Sequence, residues 1–433
     1  MFVGGADGLS PRSQHRFVMD RLPGFRDFYP NPVPNGDVWS LDLRNHIFAQ
    51  WRRVAKVYGF QEYDGPPVEP LDLYTTKSGQ EIVGQLYNFT DKGGRDVSLR
   101  PEMTPTLARM VAAHERGYKK PIKWFSVPQV FRYERQQKGR LREHFQLNAD
   151  IFGEIDPAAD AELIALLIDT LRALGLSSED FVIRLSSRQA WQGLLKSKDC
   201  EPDREYEFFQ IIDKLERDSE ESTASKLAAM GLSLDDVKSF IAAAEPTADL
   251  ERILDGIKAR HLSQFVTIDY SIIRGLAYYT GPVFEAFDRK GEFRAIAGGG
   301  RYDGLVTLIT AGKTHLPGLG FGMGDVVLTE LLKSRGLASV PAANPDVFVL
   351  IEEESLRTLS LSLIQQLRES GKQVEFSLTP AKGDKQFKRA TELGARHVLR
   401  IEQGPEPQAT VWLKNLKSRM EKRLALNDVI NAL

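Results

Sequence analysis

The residues best suited to chemistry lie in one short charged segment. Between Lys119 and Glu143 the chain carries eight basic residues against two acidic ones, although its formal net charge is only −2. Strand-like runs at 123–131 and 145–152 flank the charge, which predicts a β-hairpin with its turn at Gly139. Arginines on such a hairpin suit polyphosphate binding, because a guanidinium bonds two phosphate oxygens at once and stays charged. A solvated surface hairpin is the alternative, and charge alone does not separate the two.

Other stretches also carry residues that could contact a ligand. Glu102 and Thr104 follow a predicted strand directly, where polar side chains can enter a pocket, although either could instead cap the helix that follows. Residues 298–304 (GGGRYDG) predict a glycine-rich turn that lets the backbone approach a ligand. Residues 318–324 alternate glycine with larger apolar residues, which predicts a strand with close backbone contacts.

The helices and strands that must position these residues are predicted from the spacing of apolar residues and from the residues that end each element. Apolar residues at three- and four-residue steps predict helices at 37–58 and from Asp156 to about Leu174, and residues 186–263 are helical throughout. Strands are predicted at 181–185, 266–273 and 283–287, and a further helix at 325–333. Beyond a linker at 338–345, strands and helices alternate, which indicates a small α/β domain with a largely parallel sheet. Its basic clusters suit RNA phosphates or a solvated helix face about equally well.

Bulk properties exclude several classes of protein. The 433-residue chain is 42% hydrophobic and 27% charged, as ordinary globular proteins are, so any polyanion site must be local. A single cysteine, Cys200, excludes a disulfide framework and a cysteine-based zinc site. The first residues lack the apolar core of a signal peptide, and no apolar run approaches the ~20 residues that span a bilayer. We therefore expect a cytoplasmic protein with no membrane partner.

Three stretches together resemble class II aminoacyl-tRNA synthetases, and among these the histidyl-tRNA synthetase family. Residues 132–140 (RYERQQKGR) look like the second class II motif. Residues 274–279 (RGLAYY) are similar to the histidine-specific signature and are the most specific of the three. Residues 385–390 (KQFKRA) resemble the family's anticodon-binding domain, and the resemblance extends from about Arg21 to the end of the chain.

The resemblance implies a fold and a division of the chain. The expected fold is α/β, with an α+β catalytic core in which a class II synthetase-like antiparallel sheet is flanked by helices. The expected parts are a flexible tail (1–19), the first part of the core (20–185), a helical insertion (186–263), the second part of the core (264–337), a linker (338–345) and an anticodon-binding-like α/β domain (346–433).

The resemblance also implies an activity and its site. The expected activity is that of an ATP-dependent ligase, working with Mg²⁺ as a homodimer, that activates histidine and transfers it to tRNA(His); it implies no protein-held metal and no DNA partner. Arg132 and Arg274 would stabilise the reacting α-phosphate. The other implied contacts are Glu134, Arg140, Arg142, Phe145 and Arg301 for ATP; Glu102, Thr104, Gln146, Asp150, Tyr278 and Tyr279, with Arg274, for histidine; and Gln136, Gln137, Lys138, Lys385, Lys388 and Arg389 for tRNA.

These assignments agree with elementary chemistry. A buried ammonium needs carboxylate and hydroxyl partners, which Glu102, Thr104 and Asp150 would supply. An imidazole presents one donor and one acceptor, which tyrosine hydroxyls can read.

Three departures from the family pattern stand out. Class II motif three normally carries an arginine at the start of its helix, where it contacts the γ-phosphate of ATP. Here Val327 occupies that position. If nothing replaces the contact, the binding free energy lost is ~1.5–3 kcal/mol. We expect Arg140, Arg142 or Arg301 to compensate, unless ATP binds differently or the chain is not a ligase. Ala277 replaces a common acid. The sequence does not decide whether His144 or Phe145 stacks on adenine, and Phe145 is the expected contact.

Two other functions fit parts of this pattern. The lost arginine is compatible with a non-catalytic, histidine-binding regulatory paralogue, like the synthetase-like subunit of ATP phosphoribosyltransferase. Such subunits usually lack an anticodon-binding domain, whereas the last part of this chain resembles one. Residues 100–104 (RPEMT) also resemble prolyl and threonyl synthetases, although the 274–279 signature argues against that assignment.

Overall fold

The computed structural model describes residues 20–31, 33, 38–78, 80–133, 139–201, 204–215, 218–273, 279–340, 344–403 and 409–433. The chain divides into two compact units, residues 1–340 and 341–433, each with its own hydrophobic core. Within the described ranges, none of the helices combines the length and the apolar character needed to cross a membrane.

A nine-stranded sheet forms the centre of the larger unit. The strands of this unit are β1 (Phe28–Tyr29), β2 (Trp39–Ser40), β3 (Gln61–Glu62), β4 (Val68–Pro70), β5 (Asn88–Thr90), β6 (Asp96–Leu99), β7 (Ile122–Ser126), β8 (Gln129–Phe131), β9 (Glu143–Phe152), β10 (Phe181–Ser187), β11 (Val266–Ile268), β12 (Pro282–Asp288), β13 (Ala297–Arg301) and β14 (Gly318–Gly324). The sheet order is β11-β10-β12-β13-β14-β9-β7-β3, and β8 also pairs with β9. Neighbours are antiparallel except β10–β11 and β3–β7, so the expected class II-like antiparallel sheet is confirmed.

Helices flank this sheet, and most of them match the predicted ones. They are α1 (Leu41–Val57), α2 (Asp72–Ser78), α3 (Thr104–His114), α4 (Ala158–Arg172), α5 (Arg188–Ser197), α6 (Glu205–Asp213), α7 (Glu220–Ala228), α8 (Leu234–Ala243), α9 (Ala248–Ala259), α10 (Leu305–Ile309) and α11 (Asp325–Ser334). Helices α5 to α9 occupy the stretch for which the sequence predicts continuous helical structure.

Alternation along β9 decides what each face of the sheet carries. Leu147, Ala149 and Ile151 pack in the main core with the leucines of α4. Because successive side chains of a strand point to opposite faces, Gln146 and Asp150 face away from that core. The sheet therefore buries one face under helices and leaves polar side chains on the other.

The prediction of a glycine-rich turn at 298–304 is wrong for its first half. Ala297–Arg301 form β13, which pairs on both sides in the middle of the sheet. Glycine is required here because the neighbouring strand lies close: a Cβ added to Gly299 would lie 2.3 Å from the carbonyl oxygen of Gly320. The strand predicted at 266–273 is also shorter than expected and ends at Ile268.

The smaller unit is built on a five-stranded sheet in the order β16-β15-β17-β18-β19. Its elements are β15 (Val347–Leu350), α12 (Arg357–Glu369), β16 (Val374–Phe376), α13 (Gly383–Glu392), β17 (His397–Glu402), β18 (Thr410–Asn415), β19 (Glu421–Ala425) and α14 (Val429–Ala432). The expectation of a largely parallel sheet is wrong, because β17, β18 and β19 pair antiparallel. The connections between these strands, 403–409 and 416–420, are shorter than the dozen or so residues that a parallel crossover needs.

Candidate active site

A cavity of about 890 Å³ lies over the polar face of the large sheet. Strands β9, β12, β13 and β14 contribute its floor, and residues 139–141 with the first residues of α11 form one end. A volume of this size is at the upper end of that of small-molecule sites, so the cavity can hold a nucleotide together with a smaller ligand. Four arginines line it among the described residues: Arg132, Arg140, Arg184 and Arg294.

Two neighbouring strands of the floor differ in their residues: β9 carries polar side chains, and β14 carries glycines opposite them. On β14, a Cβ added to Gly320 would lie 1.9 Å from Asp150 Oδ1, and one added to Gly322 would lie 2.0 Å from Gln146 Nε2. The predicted close contact of this glycine strand is therefore real, and its cause is the room that the polar side chains of β9 need.

Three buried acceptor oxygens on the same face of β9 have no hydrogen-bond partner within the described part of the chain: Gln146 Oε1, Asn148 Oδ1 and Asp150 Oδ2. Of these three residues, Gln146 lines the cavity, and Asn148 and Asp150 continue the same face beyond it. Buried polar groups are nearly always paired, because leaving one unpaired costs ~1–3 kcal/mol. A group of unpaired acceptors in one place indicates a ligand that donates hydrogen bonds.

Asp150 is the buried acidic residue on this face of β9. The Tyr302 hydroxyl donates a hydrogen bond to its Oδ1. Burial raises the pKa of Asp150 to about 7, and the bond from Tyr302 offsets part of that increase. A cation bound beside this carboxyl group would favour its ionised form, so the position is suited to an ammonium group.

Basic side chains line the end of the cavity formed by residues 139–141 and α11. Arg132 follows β8, where its backbone N–H donates to Arg142 O (2.9 Å) and its Nε to Pro101 O (3.1 Å). Arg140 lines the same end and is exposed. Val327 stands at the start of α11 against the turn, since a Cβ added to Gly139 would lie 3.5 Å from Val327 Cγ2. The structure therefore brings Arg132, Arg140 and the substituted motif-three position together.

The structure separates His144 from Phe145. His144 lines the cavity, and burial together with the Arg132 and Arg26 charges lowers its pKa to about 3, so the imidazole is neutral. Phe145 points to the other face and packs 5.1 Å, centroid to centroid, from Phe48. The expected ATP contact through Phe145 is therefore corrected to His144, because adjacent residues of a strand face opposite ways.

Two arginines expected to bind ATP do not line the cavity. Arg301 is buried and ion-paired with Asp160 of α4, and its NH1 donates to Glu154 O (2.8 Å). Arg142 lies over the Tyr133 ring at 4.3 Å, and its side chain fills the space beside Gly24. We withdraw both from the ATP contacts, because neither guanidinium reaches the cavity in this structure.

Of the expected histidine contacts that the structure describes, Gln146 lines the cavity, whereas Glu102, Thr104, Asp150 and Tyr279 do not. Buried Tyr279 lies beside Tyr302, with ring centroids 6.5 Å apart, and so borders the Asp150 end. Glu102 follows Pro101, whose carbonyl oxygen accepts a hydrogen bond from Arg132 Nε. Thr104 is buried. Met103 is the N-cap residue of α3, so the capping alternative for Glu102 and Thr104 is not supported.

Several predicted site residues lie outside the described residues. They are Glu134, Gln136, Gln137, Lys138, Arg274 and Tyr278. Lys385, Lys388 and Arg389 are described and lie exposed on α13 of the smaller unit. In that helix Gln386 points inward and exchanges hydrogen bonds with both backbone groups of Ile351, which is a structural role.

Residues that sequence reasoning missed include Asn148, Tyr302 and Arg294. Asn148 could have been found, because it stands between Gln146 and Asp150 in the same period-two row. Tyr302 lies within residues 298–304, for which the sequence predicted only a glycine-rich turn. Nothing in the local sequence around Arg294 marks it, since its place in the cavity depends on strand pairing.

A buried ionic cluster lies behind the basic end. Arg26 Nε contacts Glu143 at 2.7 Å, and Arg26 NH1 contacts Asp325 at 2.9 Å. Asp325 also accepts the backbone N–H of Phe145 (3.0 Å). This cluster therefore joins the segment before β1, the start of β9 and the start of α11.

Comparison with known proteins places this geometry in a family. A family model described as histidyl-tRNA synthetase matches residues 40–324, and one described as an anticodon binding domain matches residues 346–433. The chain belongs to the histidyl-tRNA synthetase family. The resemblance drawn from residues 132–140, 274–279 and 385–390 is thereby confirmed at the level of the family.

Relatives and solved structures agree with this assignment. The histidine–tRNA ligase of Opitutus terrae is 45% identical, covering 92% of this chain and 94% of its own length. The chloroplastic/mitochondrial histidine–tRNA ligase of Arabidopsis thaliana is 36% identical, covering 94% and 85%. A solved histidyl-tRNA synthetase from Nostoc sp. PCC 7120 has a TM-score of 0.73 at 23% identity over 93% of this chain and 99% of that chain, which supports the fold. The regulatory alternative is not favoured, because the similarity to ligases covers nearly the whole chain.

Proposed function

We propose that this protein is a histidine–tRNA ligase. It activates histidine with ATP, forming histidyl-adenylate and pyrophosphate, and then transfers the histidyl group to tRNA(His). The observation that carries this proposal is the polarity of the site: unpaired acceptors and a buried acid lie on one stretch of the sheet, and arginines line the adjoining cavity. Membership of the histidyl-tRNA synthetase family supports the choice of histidine.

The acceptor end holds the amino acid. Asp150 and Gln146 receive the ammonium group, with Glu102 and Thr104 beside them, and the unpaired oxygens of this row supply the acceptors. Tyr279 borders the imidazole. The proposal keeps Arg274 and Tyr278 in their expected roles toward the carboxylate and the imidazole.

The basic end holds the nucleotide. Arg132 contacts the α-phosphate and the attacking carboxylate, which lowers the repulsion between two anions and stabilises charge in the transition state. Arg140 faces the outer phosphates, and the neutral His144 ring offers a stacking surface for adenine. Glu134 is retained as a contact for the adenine end of ATP. Catalysis is then mainly a matter of position and charge, since the carboxylate attacks phosphorus directly.

Mg²⁺ fits this site as a companion of ATP. It prefers oxygen ligands and is usually held by substrate phosphates with one or two carboxylates. The described lining residues include the carboxylates Asp213 and Glu285, which fit that partial set. Either would complete coordination supplied chiefly by the triphosphate.

Recognition of tRNA is assigned to two regions. Gln136, Gln137 and Lys138 would meet the acceptor end, and Lys385, Lys388 and Arg389 the anticodon side, which the match to an anticodon binding domain supports. We further propose the six-part division of the chain given above, a homodimeric state and a cytoplasmic location. Neither a membrane nor DNA is a proposed partner.

Pyrophosphate exchange tests the proposal. Purified protein should exchange labelled pyrophosphate into ATP with histidine and with no other amino acid of a full panel, and should then charge tRNA(His). Absence of histidine-dependent exchange, under conditions where a control synthetase is active, would refute the ligase. Histidine binding without coupling to ATP, measured by calorimetry, would favour a regulatory paralogue instead.

A further inference from the structure

Arg301 is buried away from the cavity, and its guanidinium reaches the start of helix α4. Its Nε and Nη2 both donate to Asp160 Oδ2, with a distance of 3.2 Å from Nε. Its Nη1 donates to Glu154 O at 2.8 Å, and Nη2 lies 3.4 Å from Asp156 O. The side chain therefore joins the end of β13 to the first turn of α4 and to the loop before it.

The same arginine contacts the segment that follows residues 274–279. The Thr280 N–H donates to Arg301 O at 2.8 Å, and the Asp303 N–H donates to Thr280 Oγ1 at 3.1 Å. A Cβ added to Gly281 would lie 3.3 Å from Arg301 Cδ, so this segment packs against the aliphatic part of the arginine. Arg301 thus connects the segment that begins with Tyr279 to helix α4.

Tyr302, the next residue, lies on the opposite face of the sheet. Leu319 pairs with Arg301 between β13 and β14 and packs in the main core, so Arg301 lies on the face that the helices cover. The Tyr302 hydroxyl instead donates to Asp150 Oδ1, and its ring centroid lies 6.5 Å from that of Tyr279. A displacement of the end of β13 would therefore move both tyrosines relative to Asp150.

We propose that Arg301, through its ion pair with Asp160, is a positioning residue that holds Tyr302 and Tyr279 beside the Asp150 carboxyl group. The inference rests on the proposed function, because that proposal assigns histidine to Asp150 and Tyr279. A buried ion pair often adds no net stability over apolar residues of similar volume, so fixed geometry explains this pair better than stability does. A guanidinium suits the task, because its planar group donates several hydrogen bonds in fixed directions.

Arg335 provides a matched control. Its side chain is 8% exposed, against 7% for Arg301, and it likewise forms ion pairs with acidic residues, Asp180 at 3.2 Å and the buried Asp288. It lies at the C-terminal end of α11 and is not among the described residues that line the cavity. Lysine in place of either arginine keeps the charge and loses the planar group, so both substitutions disturb a buried ion pair to a similar degree.

Exchange kinetics compare Arg301→Lys with Arg335→Lys. KM for histidine should rise roughly 10- to 100-fold in Arg301→Lys, because a binding group displaced by about 1 Å loses that much. KM for ATP should stay the same, and Arg335→Lys should change neither constant. Asp160→Asn keeps the shape of the acid and removes its charge, so it should give the pattern of Arg301→Lys. This second variant decides the question if Arg301→Lys does not fold.

A KM for histidine in Arg301→Lys and Asp160→Asn that matches the value in Arg335→Lys would overturn the inference, as would equal increases in KM for both substrates. Failure of the proposed ligase function appears separately, as absent histidine-dependent exchange in the unaltered protein. A crystal structure of Arg301→Lys then decides the positioning role without turnover. The Tyr302 hydroxyl should no longer lie within hydrogen-bond distance of Asp150, and an unmoved Tyr302 would refute the role.

Discussion

The two ends of the site are built in opposite ways. The acceptor row of Gln146, Asn148 and Asp150 stands on the middle strand of the sheet, half-buried at Gln146 and buried beyond it. The cavity is lined by Arg132, Arg140 and Arg294, which lie at strand ends or in connections and are half-buried or exposed. A selective site for an ammonium group needs fixed geometry, whereas a triphosphate needs positive charge that several backbone positions can supply.

We propose that this difference lets the basic end accept a substitution. A guanidinium on a long side chain reaches the same phosphate from different elements, so the valine at position 327 can coexist with ATP binding. The acceptor end has no such freedom, because Gly320 and Gly322 are shaped around its side chains. This fixed geometry leaves buried polar atoms that have no hydrogen-bond partner within the described residues.

The largest effect is expected from the cluster that supports the basic end. Arg26→Ala leaves Glu143 and Asp325 buried without their cation, so the free energy of unfolding should fall by roughly 3–5 kcal/mol. Urea unfolding measures it, and Arg21→Ala in the same segment, an exposed ion pair with Asp27, is the matched control. A change within 1 kcal/mol of the control would show that the basic end does not depend on this cluster.

Loss of the acid should be the next largest effect. Asp150→Asn removes the ammonium's counter-charge, so histidine affinity should fall by about 100-fold while ATP affinity stays the same. Asp255→Asn, an exposed acid on α9, serves as control. Calorimetry with each ligand measures both affinities, and a parallel loss of ATP binding would contradict separate ends.

The same substitution should make the fold more stable at alkaline pH. Because burial raises the pKa of Asp150 to about 7, the native protein keeps a proton that the unfolded chain releases near its ordinary pKa. The contribution of Asp150 to stability is therefore lost as pH rises through about 7, and Asp150→Asn should gain on the order of 2 kcal/mol at pH 8. Unfolding curves at pH 5 and pH 8 test the sign.

Histidine affinity should rise with pH for the same reason. Asp150 is mostly protonated at pH 6 and mostly ionised at pH 8, and the ammonium binds the ionised form, which gives roughly a tenfold increase across this range. Titration of the ligand's own imidazole is removed by comparison with Asp150→Asn. His144 adds no dependence, because its pKa of about 3 keeps it neutral throughout. An identical pH profile for the two proteins would remove Asp150 from the site.

The smallest effect is expected where the family pattern is broken. Val327→Arg should raise kcat/KM for ATP by less than threefold, because several arginines already line this cavity. Val327→Ala controls for loss of the valine side chain against Gly139. A gain of tenfold or more in exchange kinetics would mean that nothing in the chain compensates for the missing arginine.

The positions of the acceptor residues were easier to predict than those of the basic residues, for a physical reason. Gln146 and Asp150 were expected from the family resemblance, and the period of two within a single strand suffices to place both on one face. Phe145 and Arg301 were misplaced because a residue's face, or its burial against α4, depends on contacts across the sheet. The place of Arg294 in the cavity could not be predicted, since it depends on how β13 pairs within the sheet. The fold followed from periodicity except at three places: the glycines that form a central strand, the strand after residue 266, which is shorter than predicted, and the smaller sheet, which is less parallel than predicted.

Exchange kinetics of Asp150→Asn and Arg140→Ala, with histidine and ATP varied in turn, test the two-ended site most directly. We predict crossed effects: KM for histidine rises in Asp150→Asn with KM for ATP unchanged, and the reverse holds in Arg140→Ala. Equal effects of both substitutions on both substrates would contradict a site with separate amino acid and triphosphate ends.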